Sequence, residues 1–209
     1  MTYLRLNFHL TSFILLCIVL TCCNSLSREQ TTDTGISVYA TNMFITRAAK
    51  DEEILKGQML EPGKIKDFKG LQYFDPDSTY RVMAKMHWIE KEKVIFSTNT
   101  ERSPVYYTFC QLDFKIGDSL CTLIAYAEDA DGKTGLFIPF KDLTNTQETY
   151  GGGRYIEVPY RGEKDLFELD FNLAFNPYCH YNHGYSCPLV PAGNRLDLPI
   201  KAGEKKLYD

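Results

Sequence analysis

The spacing of apolar residues changes near residue 66. Before it, residues 41–56 (TNMFITRAAKDEEILK) place Phe44, Ala48, Ile54 and Leu55 on one helical face. Lys50, Asp51, Glu52 and Glu53 fall on the solvated face, and Gly57 closes the run. This predicts one amphipathic helix packed on the domain. After Lys66 the period falls to two. Tyr80 to Ile89 alternates, with Val82, Ala84, Met86 and Trp88 on one side and Arg81, Met83, Lys85 and His87 on the other. Further strands are expected over Lys93–Thr98, Pro104–Phe114, Leu120–Glu128, Leu136–Phe140, Arg154–Val158 and Leu166–Phe171. Asp75-Pro76-Asp77, Gly117-Asp118 and Asp131-Gly132 are the turn signals, the last a hairpin signal. About seven to eight short strands without intervening helices predict a mainly β fold, an antiparallel sandwich or barrel.

The C-terminal stretch Thr149 to Lys205 breaks this rhythm. Pro177, Pro188, Pro191 and Pro199 exclude long regular elements there, so the segment is read as a long ordered loop carrying Phe175, Tyr178, Tyr181 and Tyr185.

The N-terminus carries an apolar run, roughly Phe8 to Leu20, after Arg5. It is shorter than the ~20 residues that span a bilayer and has the length of a secretory h-region. It ends in Leu20-Thr21-Cys22-Cys23, which resembles a lipoprotein signal with Cys23 as the lipidated residue, or Cys22 in a poorer register. Cys22 replaces the usual small residue before the acylated cysteine. The expected division is therefore a signal at 1–22, a polar Ser/Thr-rich tether at 23–40 and one β-rich domain at 41–209. The chain would then be a lipoprotein of the bacterial cell envelope, anchored to the membrane by its N-terminal lipid and facing the periplasm or the cell surface.

Composition changes this picture little. The 209 residues, with 23 Lys and Arg against 27 Asp and Glu, carry a formal charge of −4 and no basic stripe, which argues against nucleic-acid binding.

Candidate chemistry gathers in the C-terminal stretch. Gly151-Gly152-Gly153-Arg154-Tyr155 offers close-approaching backbone beside a guanidinium, suited to an anion or carboxylate. It is not a P-loop, for it has no Gly-Lys-Ser/Thr. The alternative is a glycine bulge with Arg154 in a structural ion pair, with Asp170 as partner. Asp170 and Asn172 flank Phe171 and should point the same way on a strand. Cys179-His180-x-x-His183-x-x-x-Cys187 admits three readings from its residues: a disulfide, a metal site lacking any standard finger spacing, or a reactive thiol beside a histidine. Cys110 and Cys121 flank the Gly117-Asp118 turn, opposite about residue 125 and Phe114 respectively. They are therefore read as unbridged buried residues.

These residues carry a resemblance. Phe68-Lys69-Gly70-Leu71, Tyr73-Phe74, Gly135 to Phe140 with Asp142, and Thr149 to Tyr155 are similar to a bacterial family known only as domain of unknown function 1684. So are Asp170-Phe171-Asn172, Asn176-Pro177, Cys179, Tyr181, Cys187-Pro188-Leu189, Asn194-Arg195-Leu196 and Ala202-Gly203-Glu204. The resemblance runs from about Lys50 to Lys205 and implies no activity. The family carries Pro-Cys-Ala-Tyr where this chain has Tyr178-Cys179-His180-Tyr181. His180 and His183 are thus departures, which weakens a zinc site; the expectation is no metal. Family members resemble cytosolic proteins without a signal, so the cysteines need not be bridged.

The resemblance makes Gly152, Gly153, Arg154, Tyr155, Asp170, Asn172, Asn176, Cys179, Tyr181, Cys187, Asn194, Arg195 and Glu204 the candidate ligand-binding set. The leading expectation is a β scaffold that binds a small, anionic ligand through a pocket lined by Arg154, Arg195, Asn172, Asn176 and tyrosines. The alternatives are a hydrolase or transferase using Cys179 or Asp170 with Arg154, and a purely structural envelope protein. No catalytic residue or cofactor is assigned.

Overall fold

The computed structural model describes residues 37–163 and 165–208. The Cys22-Cys23 pair, the signal and most of the expected tether lie outside them. Helix α1 (Val38–Lys56) begins within the expected tether, because no breaker separates Val38 from Thr41. Its buried stripe is Met43, Arg47 and Ile54. That corrects the expected face, since Phe44 and Leu55 are 49% and 45% exposed. Lys50, expected to be solvated, instead reaches the Tyr178 hydroxyl at 3.2 Å. Among the described residues, no helix is long and apolar enough to cross a membrane.

Seven strands follow: β1 (Arg81–Trp88), β2 (Lys93–Ile95), β3 (Val105–Ile116), β4 (Ser119–Ala127), β5 (Leu136–Phe140), β6 (Arg154–Val158) and β7 (Leu166–Asp170). They form one antiparallel, curled, barrel-like sheet in the order β6-β5-β4-β3-β1-β7, with β2 also paired to β3. The Gly117-Asp118 turn sets the β3–β4 register, placing Cys110 opposite Ala125 and Phe114 opposite Cys121 as expected; both thiols are free. Asp131-Gly132 does not make a tight hairpin. The Asp129 carboxylate accepts from the Asp131, Lys133 and Thr134 amides, which winds residues 128–135 into a wider loop.

Alternation sorts the side chains into two cores. Ala84, Met86, Leu112, Phe114, Leu123, Ile138, Phe140, Ile156 and Leu169 fill the inner one, together with Leu196, Ile200 and Ala202 from the C-terminal segment. Phe96, Tyr106, Tyr126, Phe137 and Tyr155 make an aromatic cluster that Phe175 and Val190 cover. A third group, Ile54, Leu60, Leu71 and Tyr181, packs α1 against the C-terminal loop.

The sheet has a weak seam. β4 and β5 share only the pair Tyr126–Phe137, and Pro139 in β5 has no amide to donate. Asn194 fills this gap. Its Oδ1 accepts from the Ile124 amide at 2.9 Å, and its Nδ2 donates to the Ile124 and Pro139 carbonyls at 2.8 and 2.7 Å. One carboxamide thus replaces a missing stretch of ladder. Asn194→Ala orphans the Ile124 amide and carbonyl, both part-buried, and the buried Pro139 carbonyl, so we expect a loss of about 2 kcal/mol in urea unfolding. A change of a few tenths of that size would mean that the seam closes without Asn194.

Candidate functional site

The C-terminal segment is held by buried polar side chains, and most of the sequence-derived candidates are among them. Gly153 enters β6 with φ +97°; a Cβ there would lie 2.7 Å from the Phe140 carbonyl and 2.6 Å from Val190. Only a residue without a side chain lets β6 start so close to β5. Gly152 sits beneath the Tyr150 ring. Tyr155 is buried, pairs backbone to backbone with Phe175 at 2.9 Å in both directions, and donates its hydroxyl to the Pro188 carbonyl.

Arg154 is fully buried. Its Nη2 donates to Asp142 Oδ2 at 2.8 Å and to the Ile200 carbonyl at 2.9 Å, and its Nη1 to the Ala202 carbonyl at 2.5 Å. Asp142, not Asp170, is thus its partner. Asp142 lies just past β5 and is brought to Arg154 by the β5–β6 pairing of Phe140 with Arg154, a register that residue spacing does not show. Asp142 also accepts from Thr144 and from the Ile200 amide. The ion pair therefore clasps residues 200–204 to the sheet. Burial pushes the Arg154 pKa down, and Asp142 opposes that shift.

Asp170 and Asn172 are not both on a strand. β7 ends at Asp170, whose carboxylate caps the 3₁₀ turn Phe171–Leu173 by accepting from the Asn172 amide. The Tyr39 hydroxyl donates to the same carboxylate at 2.8 Å. Asn172 pairs with the backbone of Asp77, accepting from its amide at 2.9 Å and donating to its carbonyl at 2.8 Å.

Glu204 is fully buried among candidate residues. Its oxygens accept from the Tyr181 hydroxyl, from the Asn176 amide at 3.1 Å and from Asn176 Nδ2 at 2.8 Å. Burial raises its pKa to about 7, against these hydrogen bonds. Gly203, at φ +76°, lets the chain pass 2.7 Å from the Phe171 and Ala174 carbonyls, measured from a notional Cβ. Arg195 is exposed, with Asp197 3.9 Å away. Arg154 adjoins the Asn176–Glu204 cage, its Nη1 donating to the Glu204 carbonyl at 3.3 Å, while Arg195 stands apart on the surface. Asn172 alone among the expected pocket residues lines a cleft described below.

Cys179 and Cys187 carry free thiols, and the Cys179 amide donates to Cys187 Sγ at 3.1 Å. The histidines turn elsewhere: His180 Nε2 accepts from the Leu207 amide at 2.8 Å, while the exposed His183 pairs with Glu61. Among the described residues, no group of three or more His, Cys, Asp and Glu is placed to hold a metal.

One site escaped the sequence reading. A cleft of about 120 Å³ lies between α1 and the C-terminal loop, lined by Met43, Thr46, Arg47, Lys50, Tyr73, Asn172, Leu173, Ala174 and Phe175. Arg47 is 9% exposed, and its Nε and Nη2 have no hydrogen-bond partner. Its guanidinium lies 4.5 Å from the centroid of the Tyr73 ring. Lys50 Nζ stands 5.2 Å from the Phe175 centroid and 5.0 Å from that of Tyr178. The only sequence signal was a cation four residues from Met43 and seven from Ile54, on the stripe that turned out to be buried.

A curled antiparallel sheet with a clasped C-terminal segment and a cationic cleft under its helix defines the architecture. Residues 66–205 match the family described as protein of unknown function (DUF1684), and the chain belongs to that family. It is similar to an uncharacterized protein of Haloarcula marismortui whose structure was solved by NMR in solution. The two are 37% identical over 79% of this chain and 92% of that one, with a TM-score of 0.64. No curated protein matches the chain.

Proposed function

We propose that the domain is a β-scaffold module that binds a small carboxylate in the cleft beneath α1. The observation that carries the reading is Arg47: nine-tenths buried, beside a cleft, with two nitrogens left without partners. A buried donor without a partner costs about 1–3 kcal/mol, and a carboxylate offers the two oxygens a guanidinium fork fits. Lys50 adds a second cation, Asn172 a polar edge, and Met43, Leu173, Ala174 and Phe175 an apolar wall. The chemistry suits a carboxylate with a short apolar body.

The proposal keeps the anionic ligand expected from sequence and moves its anchor from Arg154 to Arg47. A catalytic role for Arg154 with Cys179 or Asp170 gains no support, since Arg154 serves Asp142 and Asp170 serves Tyr39 and Asn172. A lipid on Cys23 would hold this module at a bacterial envelope membrane; the h-region and Leu20-Thr21 support that part of the proposal.

The test is NMR titration with butyrate, benzoate and inorganic phosphate. Saturable shifts of the Ala174 and Phe175 amides are expected with a carboxylate, weakened about 10- to 100-fold by Arg47→Met. The same variant should keep or raise stability, because it removes unpartnered polar atoms. Failure of both carboxylates to saturate, or a loss of several kcal/mol on Arg47→Met, overturns the proposal.

A further inference from the structure

The cysteine pair lies outside the cleft and has its own chemistry. Cys179 and Cys187 are 7% and 6% exposed and lie side chain to side chain. The Cys179 amide donates to the Cys187 sulfur at 3.1 Å, and the Cys179 thiol lies against the same sulfur. The 3₁₀ turn Tyr178–His180 presents that amide, and the Asn99 side chain fixes Cys187 by accepting from its amide at 2.7 Å. By contrast Cys110 and Cys121 sit in the inner core, where burial alone pushes Cys110 up to about 12 and leads the rise at Cys121.

We propose that Cys179 and Cys187 form a redox-responsive dithiol in which Cys187 is the thiolate oxidised by a hydroperoxide and Cys179 the thiol that resolves it. A donated hydrogen bond favours the charged form of the sulfur it faces, and the thiolate is the nucleophile. The contact with Cys179 favours the Cys187 thiolate and disfavours ionisation of Cys179. The amide hydrogen bond at 3.1 Å is made to the Cys187 sulfur, and this orders the roles.

The steps balance. The Cys187 thiolate attacks the peroxide oxygen, an S–O bond forms and the O–O bond breaks. The leaving alkoxide or hydroxide takes a proton. Cys179 then attacks the Cys187 sulfenic acid. Its S–H proton goes to the departing oxygen, the S–O bond breaks, the S–S bond forms and water leaves. Two thiols and one hydroperoxide give one disulfide, one alcohol (or water) and one water, with two electrons passing from the sulfur pair to the peroxide. A soluble dithiol restores the reduced pair by exchange.

The disulfide would close the loop that carries Tyr181, whose hydroxyl holds Glu204. Oxidation would therefore tighten the C-terminal clasp.

The test treats the full-length reduced chain with equimolar hydrogen peroxide, then alkylates it in denaturant and maps peptides. A Cys179–Cys187 disulfide should form about ten-fold faster in the native chain than in urea, with Cys110 and Cys121 still alkylated. In Cys179→Ser, a 1,3-dicarbonyl trap should label Cys187; in Cys187→Ser, Cys179 should stay reduced. Labelling of Cys179 in the latter reverses the roles and overturns the proposal. So does an equal rate in native and denatured chains, a comparison that decides even if a variant fails to fold.

Discussion

Arg154→Ala is expected to lower the stability of the domain by about 3–5 kcal/mol, because it leaves the Asp142 carboxylate buried without its counter-ion. Both side chains are completely shielded from solvent, so water cannot take the place of the guanidinium. The loss extends past the ion pair, since the Ile200 and Ala202 carbonyls lose their donor as well. Arg154→Lys should recover only part of it. A lysine ammonium supplies a point charge, and Arg154 uses two nitrogens spread over four acceptors. Urea unfolding followed by circular dichroism measures both variants. A loss below about 1 kcal/mol in Arg154→Ala would show that the clasp is dispensable and return Arg154 to the ligand-binding candidates.

The second large effect is a pH dependence centred on Glu204. Its pKa rises from 4.5 in a solvated chain to about 7 in the fold, mainly through burial. The folded state therefore keeps a proton that the unfolded chain has released, and stability from this group falls as pH rises from about 4.5 to 7. Below that window both states are protonated and above it both are ionised, so the contribution is level on either side. The span amounts to about 3 kcal/mol. His180 works in the opposite sense. Burial lowers its pKa from 6.5 to about 4, so the unfolded chain holds the extra proton and stability rises with pH across that interval. The two slopes oppose each other between about 4.5 and 6.5. Glu204→Gln leaves the histidine without this opposing carboxyl, so the variant should gain stability relative to the wild type as pH rises. Urea midpoints at pH 5 and pH 7 for both proteins test this. Parallel pH profiles would mean that Glu204 ionises normally.

How far the sequence could be read depended on the range of the forces involved. Strand alternation is local, and so β1 to β7 were legible, along with the β3–β4 register that the Gly117-Asp118 turn imposes. Prolines at 177, 188, 191 and 199 are equally local, and they marked the irregular C-terminal segment. The face of α1 was misread because hydrophobicity alone was counted. Arg47 is buried by its stacking on Tyr73, which lies well along the chain, while Phe44 is left outside. Asp131-Gly132 was overruled by the Asp129 side chain, which competes for the loop amides. The motif residues stood out in the sequence by their composition of Gly, Asn, Arg and Cys. What each one touches was decided by pairings tens of residues away, such as Asp77 for Asn172 and Glu204 for Asn176.

The late position of Asn194, Ala202 and Glu204 has a consequence for biosynthesis. A ribosome releases the chain from its N-terminal end, and β4 and β5 emerge long before the carboxamide that bridges their seam. β1 likewise waits for β7 to cover its second edge. The Arg154–Asp142 pair stays open to water until the carbonyls of residues 200–202 arrive. The domain therefore cannot complete its fold until residues 194–204 have emerged. A nascent chain stalled short of Glu204 has an incompletely paired sheet, and that is the form a chaperone or a protease would meet.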